Sequence, residues 1–327
     1  MAPSSVITIG TFDGVHLGHR ALIDQARRVA HAHDAAAQVV AFAFDPHPAS
    51  ILRPGSEPPR LTTRNEKIRR LRDAGADRVV ILEPTRELLG QSPQQFIEHL
   101  ASEHHPIAII EGPDFRFGKG RRGDIALLRQ LGERFGFQVH VQEPVEVELT
   151  AGLAAPVSSS LVRWLVAHGR MLDAAICLNE PYALTAPVVT GDQRGRTIGV
   201  PTVNLDNAPL REQLVPPDGV YAGTVELHPD HDLPGPRHAA ALSIGAKPTF
   251  GDAPVTVEAH LLDFDGDLYG RTVTVRFARW LRAQERFPNL ESLQAQLQRD
   301  IAHTRWCQRC GLLNPPHQQP RLTQRAG

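Results

Sequence analysis

The stretch Gly10-Thr11-Phe12-Asp13-Gly14-Val15-His16-Leu17-Gly18-His19 decides how the first half of the chain reads. It follows the short apolar run Val6–Ile9 and leads into Arg20–Ala32, where Ala21, Leu22, Ala26 and Val29 share one helical face. Strand, glycine-rich turn and helix in that order place the turn at the carboxyl end of a strand, where open α/β sheets take their ligands. A helix N-terminus there offers free N–H groups to phosphate. Gly10, Gly14 and Gly18 allow tight turns and close backbone approach. His16 and His19 lie three apart and can face the same ligand. Two imidazoles beside a triphosphate can donate hydrogen bonds as charge builds on its oxygens, and no covalent intermediate is needed.

Working outward, the alternation continues. Val39–Phe44, Val79–Leu82, Ile107–Ile110 and Phe137–Val141 read as strands, and Arg64–Ala74, Pro93–Ser102 and Ile125–Phe135 as helices. Strands that are apolar throughout belong in a parallel sheet covered on both faces. Residues 1–156 are therefore expected to form a doubly wound α/β domain of Rossmann-like type. Two short helices, Ser159–His168 and Met171–Leu178, stop at Gly169 and Asn179 and make a connector over 157–180. Beyond it come the short strands Val188–Thr190, Val203–Leu205, Tyr221–Leu227, Ala239–Ser243, Val255–Leu262 and Thr272–Ala278, parted by Gly, Pro and Asp clusters. That pattern predicts an antiparallel β-barrel over 181–305, with a C-terminal helix from Leu290 to Ala302. Residues 306–327 read as a loose polar tail.

Composition narrows the function. The chain has 327 residues and a formal net charge of −1, so no global field attracts nucleic acid or an anionic membrane, and neither is expected as a partner. No apolar run reaches the roughly 20 residues that span a bilayer. Cysteines occur only at 177, 307 and 310, no signal peptide is visible, and the reading is cytoplasmic. Cys307 and Cys310, flanked by His303 and His317, make a lone CxxC that is not taken as a zinc site. Lysine occurs only at 67, 119 and 247.

Further segments carry chemistry. Gly112-Pro113-Asp114-Phe115-Arg116-Phe117-Gly118-Lys119-Gly120 offers aromatics for stacking on a planar ring, and Arg116 and Lys119 for phosphate. It is no Walker A loop, because no Ser or Thr follows Lys119. Ser158, Ser159 and Ser160 can cap the helix that carries Arg163. Asp45-Pro46-His47-Pro48 forms a rigid turn at the ligand edge of the sheet. In the second half, Gly195-Arg196-Thr197-Ile198-Gly199-Val200-Pro201-Thr202-Val203-Asn204-Leu205 sets Thr202 and Asn204 on one side of an extended segment, with two oxygens that suit Mg²⁺. Glu258 lies in Val255–Leu262, an otherwise strand-like stretch.

These motifs resemble, in order, those of the bacterial bifunctional riboflavin kinase/FMN adenylyltransferases. The first string is similar to the nucleotidyltransferase histidine motif, 112–120 to a DFRFG segment, 157–163 to ISSTxIR with Ser160 in the Thr position, and 44–48 to FxPHP. Segment 195–205 is similar to GRxLGFPTAN, 245–251 to GxRPTFG with Lys247 in the Arg position, and 257–264 to V-E-x-H-L-L-D-F. The resemblance runs from about Ile7 to about His303.

It implies catalytic roles for His16 and His19 in adenylyl transfer and for Glu258 in riboflavin phosphorylation. ATP and FMN would meet Gly10, Thr11, Phe12, Asp13, Gly18, Pro46, His47, Asp114, Phe115, Arg116, Lys119, Ser158, Ser159, Ser160 and Arg163. In the kinase half, ATP and flavin would meet Gly195, Arg196, Gly199, Pro201, Thr202, Asn204, Lys247, Thr249, Phe250, Arg282 and Phe287. Thr202 and Asn204 would hold Mg²⁺, and Tyr269-Gly270 would lie near the flavin end. ATP is the expected co-substrate, riboflavin and FMN the acceptors, and FMN and FAD the products. Two other readings stay open on the residues alone: a nucleotidyltransferase for another phosphate acceptor, such as a glycerol phosphate, and a flavin-binding regulatory protein that kept the fold.

Overall fold

The computed structural model describes residues 4–33, 36–191, 199–228, 235–246, 255–315 and 321–322. Strands β1 (Ser5–Gly10), β2 (Gln38–Phe44), β3 (Arg78–Leu82), β4 (Pro106–Glu111) and β5 (Gln138–Val141) form a parallel sheet in the order β3-β2-β1-β4-β5. Successive residues of each strand point to opposite faces. Val6, Val39, Ala41, Ala108 and Ile110 accordingly meet helix α1 (Leu17–His33) through Ile23, Ala26 and Ala30. Ile7, Ile9, Val40, Phe42 and Ile109 face the other way, onto Phe96, Ile97, Leu100, Leu128 and Leu131 of the helices Pro93–His104 and Ile125–Phe135. The continuous apolar runs thus serve two helical layers, and the doubly wound expectation holds. Strand order reverses between β1 and β4, which makes their carboxyl edge the ligand crevice.

A hairpin that the sequence reading lacked, β6 (Val145–Glu148) with β7 (Ala154–Pro156), follows the sheet. Its strands are too short for a periodicity to register. Helices α7 (Ser159–Ala167) and α8 (Met171–Leu178) come next, α7 capped by Ser158 on Leu161 N. They are packed rather than linking. Leu61, Val147, Val157, Val162, Leu165, Met171 and Ile176 share one core with Tyr182, Tyr221, Val225 and Phe277 of the second domain.

That domain is a closed six-stranded barrel, as expected. Its strands are β8 (Tyr182–Val189), β9 (Val203–Leu205), β10 (Gly219–Leu227), β11 (Arg237–Ala246), β12 (Val255–Leu261) and β13 (Thr272–Arg282), all paired antiparallel. The C-terminal helix runs Leu290–Arg309, beyond the expected stop at Ala302. Cys307 and Leu313 are buried against Ala222, Ala239, Leu262 and Ala278, and Arg279 donates to the Leu312 carbonyl. The stretch from 306 to 313 is therefore part of the barrel and not a loose tail. Its apolar residues are spaced among polar ones, which hid their common face. Arg321–Leu322 pairs with β6.

Charged groups fasten the two domains. Arg276, nearly fully buried in β13, bonds Glu226 of β10 and reaches Glu180 beyond α8 at 3.1 Å. Glu180 also meets Arg70 of helix α3 (Arg64–Asp73) at 3.2 Å. Among the described residues, no helix is long and apolar enough to cross a membrane.

Candidate active sites

The loop between β1 and α1 is locked by its own side chains. Phe12 and Val15 adopt positive φ and are fully buried. Asp13, also buried, accepts hydrogen bonds from Leu61 N at 3.0 Å and Thr62 N at 3.2 Å, and from Arg163 Nη2 at 2.5 Å. The Asp13 carbonyl accepts from Ser159 Oγ at 2.8 Å. Two residues expected at the ligand make these contacts within the protein. Arg163, expected at phosphate, has its guanidinium on Asp13 and on the Pro59 carbonyl. Phe12, expected as a ligand contact, lies beneath the surface and meets the His19 ring edge-on at 5.1 Å.

The histidine rings of His16 and His19 stack at 3.7 Å. Gly18 makes room, since a Cβ there would approach His16 Cε1 to 3.1 Å. Neither Nδ1 has a hydrogen-bond partner among the described residues. Burial, reinforced by Arg163, pushes the His16 pKa down to about 3. Burial, then His16, then Lys67 hold His19 well below the ordinary imidazole value. Both rings are thus neutral at pH 7, with unused polar atoms at the sheet's ligand edge. Buried polar atoms without partners are uncommon unless something completes them.

These depressed values predict a pH effect on stability. Above pH 6.5 His16 is neutral folded and unfolded. Below it the unfolded chain takes up a proton that the folded site refuses until about pH 3. His16 therefore lowers stability as pH falls from 6.5 towards 3. The urea midpoint of the unliganded protein should drop less between pH 8 and pH 5 in His16→Ala than in the wild type. An equal drop would remove His16 as a source.

Around this pair, Asp45 is held by Arg60 at 2.5 and 2.6 Å and by Lys67 at 2.9 Å, while His47 Nδ1 accepts from Ala49 N. Pro46 is exposed and His47 half-buried at the turn. Phe115 and Phe117 stack at 5.4 Å, with Asp114, Arg116 and Lys119 exposed around them. Ser158 caps α7, Ser160 is exposed, and Gly10 and Thr11 are half-buried. The sequence reading missed Glu111. Its carboxylate accepts from Ile9 N at 2.6 Å, beyond the last paired residues of β1 and β4. Burial drives its pKa well above the ordinary carboxyl value.

In the barrel, Thr202 Oγ1 donates to Glu258 Oε2 at 3.4 Å, and Asn204 stands opposite Glu258 in the β9–β12 register. A Cβ on Gly191 would strike the Asn204 amide at 2.2 Å, so glycine there leaves that side chain its place. Thr202 borders two cavities. One, of about 610 Å³, is lined by Val188, Pro201, Val203, Phe264, Asp267 and Tyr269. The other, of about 210 Å³, is lined by Glu258, Arg282, Gln284, Phe287, Leu293 and Asp300. Tyr269 lines the larger cavity, whereas Phe287 and Arg282 line the smaller one. Arg282 sits 5.7 Å from the Phe287 ring centre, paired with Asp300 at 2.7 Å. Asp300, Leu293 and Leu297 were missed, although positions 293, 297, 300 and 301 follow a helical stripe. Gly199 and Pro201 are exposed, whereas Gly195, Arg196, Lys247, Thr249 and Phe250 lie outside the described residues.

A histidine pair at the sheet's ligand edge and a threonine that borders two cavities in the barrel, with its hydroxyl on Glu258, are the arrangement expected of an enzyme with two group-transfer centres. The family model described as FAD synthetase matches residues 1–154, and that described as riboflavin kinase matches 178–307. A bifunctional riboflavin kinase/FMN adenylyltransferase of Escherichia coli is 36% identical over 296 residues, covering 90% of each chain. That of Pseudomonas fluorescens is 34% identical, covering 92% of each. A solved structure titled a macrolide-efflux protein from Streptococcus pneumoniae superposes with a TM-score of 0.79 at 27% identity, covering 93% of this chain and 95% of that one. The chain belongs to the family of bifunctional riboflavin kinase/FMN adenylyltransferases.

Proposed function

We propose that the barrel phosphorylates riboflavin and the α/β domain adenylylates the resulting FMN, with the residues above in these roles. The observation that carries the kinase assignment is Thr202, which borders both cavities with its hydroxyl on Glu258. The smaller cavity takes the flavin, with Phe287 and the Arg282 guanidinium against its ring. ATP occupies the larger one. Glu258 orients the ribityl 5′-hydroxyl and accepts its proton as that oxygen bonds to the γ-phosphorus and the bond to the β-phosphate oxygen breaks, releasing ADP. Thr202, Asn204 and Glu258 can each present an oxygen, a set that fits Mg²⁺. Thr202 and Asn204 would hold the ion, which when bound neutralises phosphate charge.

In the α/β domain, an FMN phosphate oxygen attacks the α-phosphorus of a second ATP and pyrophosphate leaves. Neutral His16 and His19 donate hydrogen bonds to the phosphate oxygens as charge grows there. Positioning and charge stabilisation supply the rate.

The two cavities give the test. Phe287→Ala should raise KM for riboflavin roughly tenfold with little change for ATP, since an aromatic contact and its buried area contribute about 1–2 kcal/mol. Tyr269→Ala should do the reverse. Chromatography of FMN formed from riboflavin and ATP reads both. If each variant raised the KM of the opposite substrate, the cavity assignment would be reversed. If the wild type formed no flavin product, the function itself would fall.

A further inference from the structure

Two cations on one face of α3 lie buried beneath the nucleotide site. Lys67 and Arg70, three residues apart, are 4% and 1% exposed. Arg70 Nη1 donates to the Gly14 carbonyl at 3.3 Å, inside the histidine loop. Lys67 Nζ donates to the Phe44 carbonyl at 3.0 Å, where β2 ends, and to Asp45 at 2.9 Å, where the turn Asp45–Pro48 begins. A buried ammonium is expensive to desolvate, and an apolar side chain of similar volume often serves stability as well. Retaining lysine here needs another reason, the more so in a chain whose other cations are nearly all arginine.

The geometry supplies one. Asp45 is gripped from two sides, by Lys67 of α3 and by Arg60. The main chain of Arg60 is itself paired with the barrel: Arg60 N donates to the Glu212 carbonyl at 3.0 Å, and Leu214 N to the Arg60 carbonyl at 2.8 Å. The turn that carries His47 is thereby fixed both to the α/β domain and to the kinase barrel. Burial of the Asp45 carboxyl opposes its ionisation, and the Lys67 and Arg60 contacts outweigh this and hold its pKa below the ordinary value.

We propose that Lys67 is a positioning residue for adenylyl transfer, holding through Asp45 the turn Asp45–Pro48 in register with the histidine pair. This rests on the reading of that site as the ATP site. A misplacement of about 1 Å at such a wall can lower the rate by about 10²-fold.

The test uses the full chain, in which the barrel serves as an internal control. Lys67→Met should lower kcat for FAD formation from FMN and ATP by about 10²-fold while FMN formation from riboflavin stays within about twofold. Lys67→Arg should recover most of the loss. Asp45→Asn should mimic Lys67→Met, and the double variant should be no worse than the poorer single one, because both act through one contact. Three results would overturn the inference: full FAD formation in Lys67→Met, a parallel fall of both activities with the melting temperature, or multiplying losses in the double variant. His16→Ala checks the site separately. If it left FAD formation intact, the site reading itself would fail, whatever Lys67 did.

Discussion

His16→Ala should stop the reaction at FMN. Removing one preorganised donor to a developing oxyanion lowers a rate by about 10²–10³-fold. His16 is buried and stacked on His19, and among the described residues its Nδ1 has no hydrogen-bond partner, so its removal takes away one of the two donors assigned to the phosphate oxygens. Supplied with riboflavin, ATP and Mg²⁺, the variant should accumulate FMN at the wild-type rate, because the barrel has its own cavities around Thr202. Chromatography would show FMN rising with FAD nearly absent. Loss of both products would point to damage passing through the shared core of Leu61, Val157 and Tyr182. Normal FAD formation would remove His16 from the mechanism.

Glu258→Gln should have the opposite effect. The substitution keeps the volume and an oxygen that accepts from Thr202, and removes the carboxylate's charge together with its ability to accept a proton. A positioned general base contributes about 10²–10⁴-fold, so FMN formation should fall by that order. FMN added from outside should still become FAD at the wild-type rate. The two variants together should then complement each other, the first making FMN and the second converting it. A Glu258→Gln protein that phosphorylates riboflavin normally would make Glu258 a strand residue that only holds Thr202.

The histidine loop was legible because strand, turn and helix signals fall within ten residues of one another, and the tertiary structure puts both rings at the sheet edge. Glu258 was singled out through its neighbours rather than itself, and the structure sets it against Thr202. What the loop does with Asp13 was not. As an isolated acid in a glycine-rich turn it reads as a ligand contact, yet it is engaged by Arg163, 150 residues away. Lys67 and Arg70 carry no signal of their own in a highly charged helix, and only the packing shows that both are buried.

Sequence alone determined the alternation of strands and helices, the change to an antiparallel barrel, and the places of both chemical motifs. Those follow from periodicity and turn chemistry, which act over a few residues. Only the tertiary structure decided that Thr202 borders two cavities, that Asp300 holds Arg282, that residues 306–313 pack on the barrel, and that Asp45 is gripped by Lys67 and by Arg60, whose main chain pairs with the second domain. A buried polar group is specified by the partner that satisfies it, and that partner is set by where distant segments pack.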